Sequence, residues 1–491
     1  MTELNPDALR ERLRKRFAHH VDPEFVLTRE EELRPYECDG LPAYRRLPLI
    51  VVLPGDITQV QRVMQICHEE RVPVVARGAG TGLSGGALPL EHGVLLSLAR
   101  LNAILEIDPD NLRARVQPGV RNLAISEAAK PFGLYYAPDP SSQIACTIGG
   151  NVAENAGGVH CLKYGLTVNN LLSLEIVTVA GERLTIGGGG LDSPGYDLLA
   201  LFTGSEGMLG IVVEVVVKLL PLPERAQVAM AAFDDVEQAG QAVADIIAAG
   251  ILPAGLEMMD NPSLRAAEDF VHAGYPTDAA AILLCEVDGD NEEVSEEIAR
   301  VRRRLLDSGA REVRTAVDDA ERARLWAGRK AAFPAVGRIS PDYYCMDGTI
   351  PRKHLPRVLR EIAAMSQQYQ LRAANVFHAG DGNLHPLILY DGNIPGELER
   401  AETFGGRILE LCVEVGGSIT GEHGVGLEKI DQMCAQFPAE ELQLFHAVKE
   451  VFDPAGLLNP GKAIPTLNRC AEFGAMHVKA GDLRFPHLER F

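Results

Sequence analysis

The stretch Arg77-Gly-Ala-Gly-Thr-Gly-Leu-Ser-Gly-Gly86 decides the fold, because it is a loop that only a phosphate-bearing ligand explains well. It holds five glycines, one threonine and one serine, and it follows an apolar run of strand length at residues 72–76. Glycine lets the backbone take positive φ and approach a ligand closely. Successive N–H groups in such a loop make a nest for anionic oxygens. Two common phosphate frames fail here. No Gly-Lys-Ser/Thr follows, so the Walker pattern is absent. Gly80, Gly82 and Gly85 match Gly-x-Gly-x-x-Gly, yet the chain continues into a strand at 94–98 rather than an opening helix.

Upstream, residues 49–53 read as a strand and Asp56 as a helix N-cap. Val60, Val63, Met64 and Cys67 then follow a 3.6-residue period up to Pro73. Strand, helix, strand and glycine loop make a βαβ-type opening. Downstream, strands are predicted at 104–108, 112–117, 174–179 and 211–220, with a hairpin turn at Ala180-Gly181. Pro221-Leu-Pro223-Glu is the predicted domain boundary. After it, strands at 228–233, 255–259, 280–287 and 312–316 alternate with helices ending at Ala249 and spanning 291–308. That alternation predicts an antiparallel sheet backed by helices. Residues 1–45 are expected to form a helix and a connector, and 466–491 a tail.

A chain of 491 residues implies two or three domains. Its hydrophobic content of 46% and charged content of 23% suit a soluble globular protein. A net charge of −21 argues against a nucleic-acid or anionic-membrane binder, which needs a basic face. Nine cysteines form no Cys-x-x-Cys pair, so no iron–sulfur or cysteine zinc site is expected. They show no disulfide pattern either, which makes a reducing cytoplasm the expected setting. The charged N-terminus lacks an apolar core, so no signal peptide is expected. With no run of about eighteen apolar residues, no transmembrane helix is expected.

Two further glycine strings accompany the first. One joins Pro138-Asp-Pro-Ser141 to Cys146-Thr-Ile-Gly-Gly-Asn-Val-Ala-Glu-Asn-Ala-Gly-Gly158, where Thr147 and Asn151 can hydrogen-bond a ligand. The other is Gly204-Ser-Glu-Gly-Met-Leu-Gly-Ile-Val212. Three such segments imply one large ligand with several contact regions, and FAD is the obvious candidate. Near the C-terminus stand His378-Ala-Gly-Asp-Gly-Asn-Leu-His385 and Gly421-Glu-His-Gly424. Asp381-Gly382 is a turn signal, and folding back there can bring His378 and His385 to one side. Neutral imidazoles suit Zn²⁺, Mn²⁺ or Fe²⁺, Glu422 is a fitting third ligand, and His423 is left as a base. A metallohydrolase would leave the glycine strings without a ligand. An idle FAD-binding subunit would lack the histidine strings.

The order of these strings resembles the flavoprotein family of vanillyl-alcohol oxidase and UDP-N-acetylmuramate dehydrogenase. It is most similar to the branch holding the FAD subunit of bacterial glycolate oxidase, D-lactate dehydrogenase and D-2-hydroxyglutarate dehydrogenase. The likeness spans roughly residues 45–465. It implies an α+β fold, with an FAD-binding domain of two α+β subdomains at 46–222. A ferredoxin-like cap domain with an antiparallel sheet, carrying the substrate site, is implied at 223–465. By resemblance Arg77, Gly78, Ala79, Gly80, Thr81, Gly82, Leu83, Ser84 and Gly85 form the pyrophosphate loop. Pro138, Asp139, Ser141, Thr147, Gly149, Gly150, Asn151, Ala153 and Asn155 then surround the flavin, with Gly207, Ile211 and Val212 from the third string. Asn459, in Asn459-Pro-Gly-Lys462, belongs to a closing segment that returns to it. The first loop has no histidine or cysteine for covalent attachment, so a noncovalent FAD is implied. The resemblance also makes His378, His385 and Glu422 ligands of a divalent metal, His423 the catalytic base and Arg329 the grip on a substrate carboxylate. Arg329 has a planar fork suited to bidentate binding. Cys345 stands where the hydroxyglutarate branch has a lysine for a second carboxylate, and Pro386-Leu387 replaces more polar residues. The implied reaction is oxidation of a small 2-hydroxy acid, glycolate or D-lactate, by hydride transfer to flavin. Electrons would then pass to an iron–sulfur subunit with a second flavin-fold subunit, or to a cytochrome or quinone, in the cytoplasm or at the inner face of the membrane.

Overall fold

The computed structural model describes residues 5–188, 195–466 and 469–470. Asp56 accepts a hydrogen bond from Gln59 N at 2.8 Å and so starts the helix Ile57–Glu70. Val60, Val63, Met64 and Cys67 form its buried face, as the 3.6-residue period requires. This helix connects the parallel strands Ile50–Val52 and Val74–Arg77, which flank Val94–Ser97. Val26–Leu27 adds an antiparallel edge. That strand lies in the segment expected to hold only a helix and a connector, and two residues are too few to show a period. On the opposite edge Asn459 N donates to Val74 O at 2.8 Å, beside a parallel bridge between Val74 and Leu458. The chain's closing segment therefore reaches the strand from which the first glycine loop springs.

The second sheet is antiparallel, in the order Ile104–Asp108, Arg113–Val116, Ile211–Lys218, Leu171–Val177, Arg183–Gly187. Gly181 takes φ +81° in the turn between the last two in sequence. Alternate residues Val213, Val215 and Val217 of the central strand are fully buried. Helices Asn122–Ala129 and Ile148–Glu154 pack Ile125, Ala129, Ile148 and Val152 against the core that holds Val215 and Val217.

The third sheet has seven strands, in the order Glu312–Thr315, Arg225–Phe233, Ala281–Gly289, Gly255–Asp260, Ala373–Phe377, Pro386–Tyr390, Asp342–Cys345. All its pairings are antiparallel. Helices cover both faces. Ala229, Ala231 and Phe233 share a core with helices Val236–Ala248, Asn291–Asp307 and Leu355–Tyr369. Val228, Met230 and Ala232 share another with Asn261–Val271 and Asp319–Lys330. Burial on both faces is why this strand reads as a continuous apolar run rather than an alternation.

One expectation is corrected here. Cys434 and Cys470 form a disulfide, with Cα atoms 5.3 Å apart and a sequence separation of 36. It joins the short helix Met433–Gln436 to the last described residues, a long-range contact that no cysteine spacing betrays. Residues 471–491, most of the expected tail, lie outside the described residues. Among the described residues no helix is long and apolar enough to cross a membrane.

Candidate active site

The three glycine strings meet around one cavity of about 530 Å³. Arg77, Gly78, Ala79, Gly80, Thr81, Gly82 and Leu83 line it from the first string. Ser141, Thr147, Gly149, Gly150, Asn151 and Ala153 line it from the second, and Gly207, Ile211 and Val212 from the third. The first two strings touch. A Cβ at Gly78 would collide with the hydroxyl of Thr147. That hydroxyl is buried and has no hydrogen-bond partner among the described residues. A glycine cradle with an orphaned donor beside it fits a phosphate-bearing cofactor.

Six of the expected cofactor residues lie off the cavity wall. The Ser84 carbonyl accepts from Leu427 N and Glu428 N at 2.9 and 3.0 Å, and Gly85 packs beside Leu427. The Pro138 carbonyl accepts from Asn122 Nδ2 at 3.0 Å. Asp139 holds the His160 ring at 2.8 Å. Asn155 caps its helix with φ +54° and accepts from Val168 N. Asn459 donates from Nδ2 to the carbonyls of Gly86 and Glu206 at 3.0 and 2.8 Å, tying the first string to the third. These residues brace the loops from behind.

The opposite wall comes from the third sheet and its loops: Lys330, Phe333, Pro334, Tyr343, His385, Glu422 and His423. Gly382 takes φ +85° in the turn, and a Cβ there would strike the Ile350 carbonyl. The tight return brings the rings of His378 and His385 to 5.0 Å. Their Nε2 atoms lie 3.0 and 2.9 Å from the same oxygen of Glu422. Each Nδ1 is engaged elsewhere, His378 with Glu257 at 2.8 Å and His385 with the Met346 carbonyl at 3.3 Å. Imidazoles oriented through Nδ1, with Nε2 turned to a shared carboxylate, fit a divalent cation. The His423 ring stacks on His385 at 4.9 Å.

Electrostatics separate the histidines. Burial lowers His423 to about 4, and His385 adds to this against the opposing pull of Asp347 and Glu422. Burial also disfavours charge on His378, yet Glu257 and Glu422 outweigh it and hold this ring well above its usual range. Glu422 is buried, but the charge of His378 holds it well below the carboxylate range.

Sequence reasoning missed several groups. Asp347 accepts from the N–H groups of Gly421, Glu422 and His423 at 3.1, 3.2 and 2.9 Å and pairs with buried Lys429 at 3.2 Å. It fixes the loop that carries the base. Asp347, His385, Glu422 and His423 offer ligand atoms within 4.8 Å of one another. Glu206 accepts from Val425 N and Gly426 N at 2.7 and 2.8 Å, binding the third glycine string to that same loop. A single carboxylate in a strand end or a glycine string carries no spacing signal. Arg329 is only 1% exposed and stands 2.6 Å from Glu257, away from the cavity wall. Its neighbour Lys330 is exposed, lines the cavity and has no carboxylate partner among the described residues.

Comparison with known proteins identifies the family and the fold. Models described as "FAD binding domain" and "FAD linked oxidases, C-terminal domain" match residues 48–187 and 222–463. The chain is 69% identical over 486 residues to glycolate oxidase subunit GlcD of Escherichia coli (strain K12), covering 99% of this chain and 97% of that protein. It is 32% identical over 452 residues to D-lactate dehydrogenase of Anaerostipes hadrus, covering 90% and 95%. The solved structure of p-cresol methylhydroxylase with substrate bound superposes with a TM-score of 0.79 at 19% identity, covering 93% of this chain and 97% of that one. The expected α+β flavoprotein fold, with an antiparallel sheet in the C-terminal half, therefore holds. The chain belongs to the FAD-linked oxidases and is an FAD-dependent oxidoreductase.

Proposed function

We propose that this protein oxidises a small 2-hydroxy monocarboxylate to the 2-oxo acid, with residues 46–222 holding FAD and residues 223–465 the substrate. One observation carries the proposal: the glycine strings and His423 line the same cavity. Bound FAD would supply the acceptor for hydride from C2. His423, neutral and half-buried, removes the proton of the 2-hydroxyl, an assistance of about 10²–10⁴-fold. His378, His385 and Glu422 would hold a divalent cation (Zn²⁺, Mn²⁺ or Fe²⁺) that polarises that hydroxyl.

On the wall opposite the glycine strings, Lys330 is a cation with no carboxylate partner among the described residues, set among Phe333, Pro334 and Tyr343. One positive group on an apolar wall suits a substrate with one carboxylate. Arg329, behind it, keeps a buried Nε with no hydrogen-bond partner among the described residues, which supports a role as donor to that carboxylate. The 69% identity to a glycolate oxidase subunit, against 32% to a D-lactate dehydrogenase, favours glycolate over D-lactate. The name of the first relative as a subunit, and the lack of any Cys-x-x-Cys here, support electron transfer to companions. These would be an iron–sulfur subunit and a second flavin-fold subunit, at the cytoplasmic face of the membrane.

Anaerobic stopped flow tests the proposal by following flavin absorbance with glycolate, D-lactate, L-lactate and D-2-hydroxyglutarate. Glycolate should bleach the flavin fastest. Faster bleaching by D-lactate would reassign the substrate. Preference for the dicarboxylate, or no bleaching by any of them, would overturn the reading of the wall.

A further inference from the structure

The base, His423, has a neighbour that the proposed reaction leaves unused. Cys345 ends the edge strand Asp342–Cys345 and is paired in register with Leu387, which places it beside His385. Cys345, His385 and His423 each offer a ligand atom, and these atoms lie within 4.8 Å of one another. Cys345 and His385 are buried and His423 is half-buried. Among the described residues the one hydrogen bond of the thiol is a weak donation to the Met346 carbonyl at 3.4 Å. His423 Nδ1 is buried with no hydrogen-bond partner among the described residues. The group therefore holds two donors without strong commitments.

Donor chemistry distinguishes this set from its neighbour. His378, His385 and Glu422 combine imidazoles with a hard carboxylate oxygen and accept a range of divalent ions. One sulfur with two imidazoles favours a thiophilic ion, and three protein ligands leave the fourth tetrahedral position open. The two sets share His385, and the second also takes in the base. We propose that Cys345, His385 and His423 form a second cation site, selective for Zn²⁺, whose occupation silences the enzyme. The inhibitory part rests on the reading of His423 as the base. Binding forms a metal–sulfur bond and releases the thiol proton to solvent, and no electrons move.

Cobalt(II) provides a spectroscopic test on metal-stripped protein that retains its flavin. Titration should produce a near-ultraviolet thiolate-to-cobalt absorbance in difference spectra. The band should be missing from both Cys345→Ser and Cys345→Ala, with flavin content reporting that each variant is folded. In parallel, zinc added to the manganese-loaded protein during turnover should inhibit it. Each variant, measured against its own zinc-free rate, should need about tenfold more zinc or higher. No thiolate band in the unsubstituted protein would overturn the site. Equal zinc sensitivity in all three proteins would overturn its inhibitory role. Flavin bleaching without added zinc tests the functional reading separately, because the cobalt band requires no substrate.

Discussion

Burial keeps the His423 imidazole neutral, with a pKa of about 4, so it can accept a proton under ordinary conditions. His423→Ala should slow flavin reduction by about 10²–10⁴-fold while leaving the flavin bound. Normal reduction by that variant in stopped flow would remove His423 from the reaction. Glu257 acts at one remove, accepting from His378 and neutralising Arg329. Glu257→Gln should weaken cation binding by about 10–100-fold, read by manganese or zinc titration, because the ring of His378 loses its orienting carboxylate. Unchanged affinity would mean that Glu257 serves only to balance Arg329. At this scale the histidine strings were legible because four chemically suitable side chains recur among glycines. Glu257 and Asp347 were not, since nothing in their local sequence marks an isolated carboxylate that the fold will bury beside a histidine.

Among the elements, the glycine loops depend on close approach more than on any one contact. Gly78→Ala would drive a methyl group into Thr147, so the first loop must shift away from the second. The expected result is a protein of near-normal stability that purifies with much less FAD, measured as visible absorbance per unit of protein. Full flavin content would show that the loops yield without cost. The helix Ile57–Glu70 was readable from its period and its Asp56 cap. The edge strand Val26–Leu27 was not, because its pairing depends on a partner distant in sequence.

Across the whole molecule, His160 latches the flavin-binding half to the third sheet. It lies 2.8 Å from Asp139 on one side and 3.3 Å from Glu286 on the other, and Glu286 also receives Trp326 Nε1 at 2.5 Å. Burial alone would lower the pKa of His160, but the two carboxylates raise it from 6.5 to about 10. Since the folded value is the higher one, the stabilisation is complete below 6.5 and is lost as pH rises through about 10. His160→Gln should lower stability at neutral pH by about 1–3 kcal/mol, and the gap should close as the solution is made alkaline. A gap independent of pH, followed by thermal melts, would show that packing and not charge holds the latch. The sequence by itself determined the cofactor class, the family and the histidine strings, because each is written in a short run whose chemistry needs no distant partner. Only the tertiary structure decided which of those residues face the cavity and which brace it. It alone placed Lys330 at the wall with Arg329 behind it, set Cys345 beside the base and joined Cys434 to Cys470. Those outcomes depend on how strands far apart in the chain register against one another, and no local pattern records that.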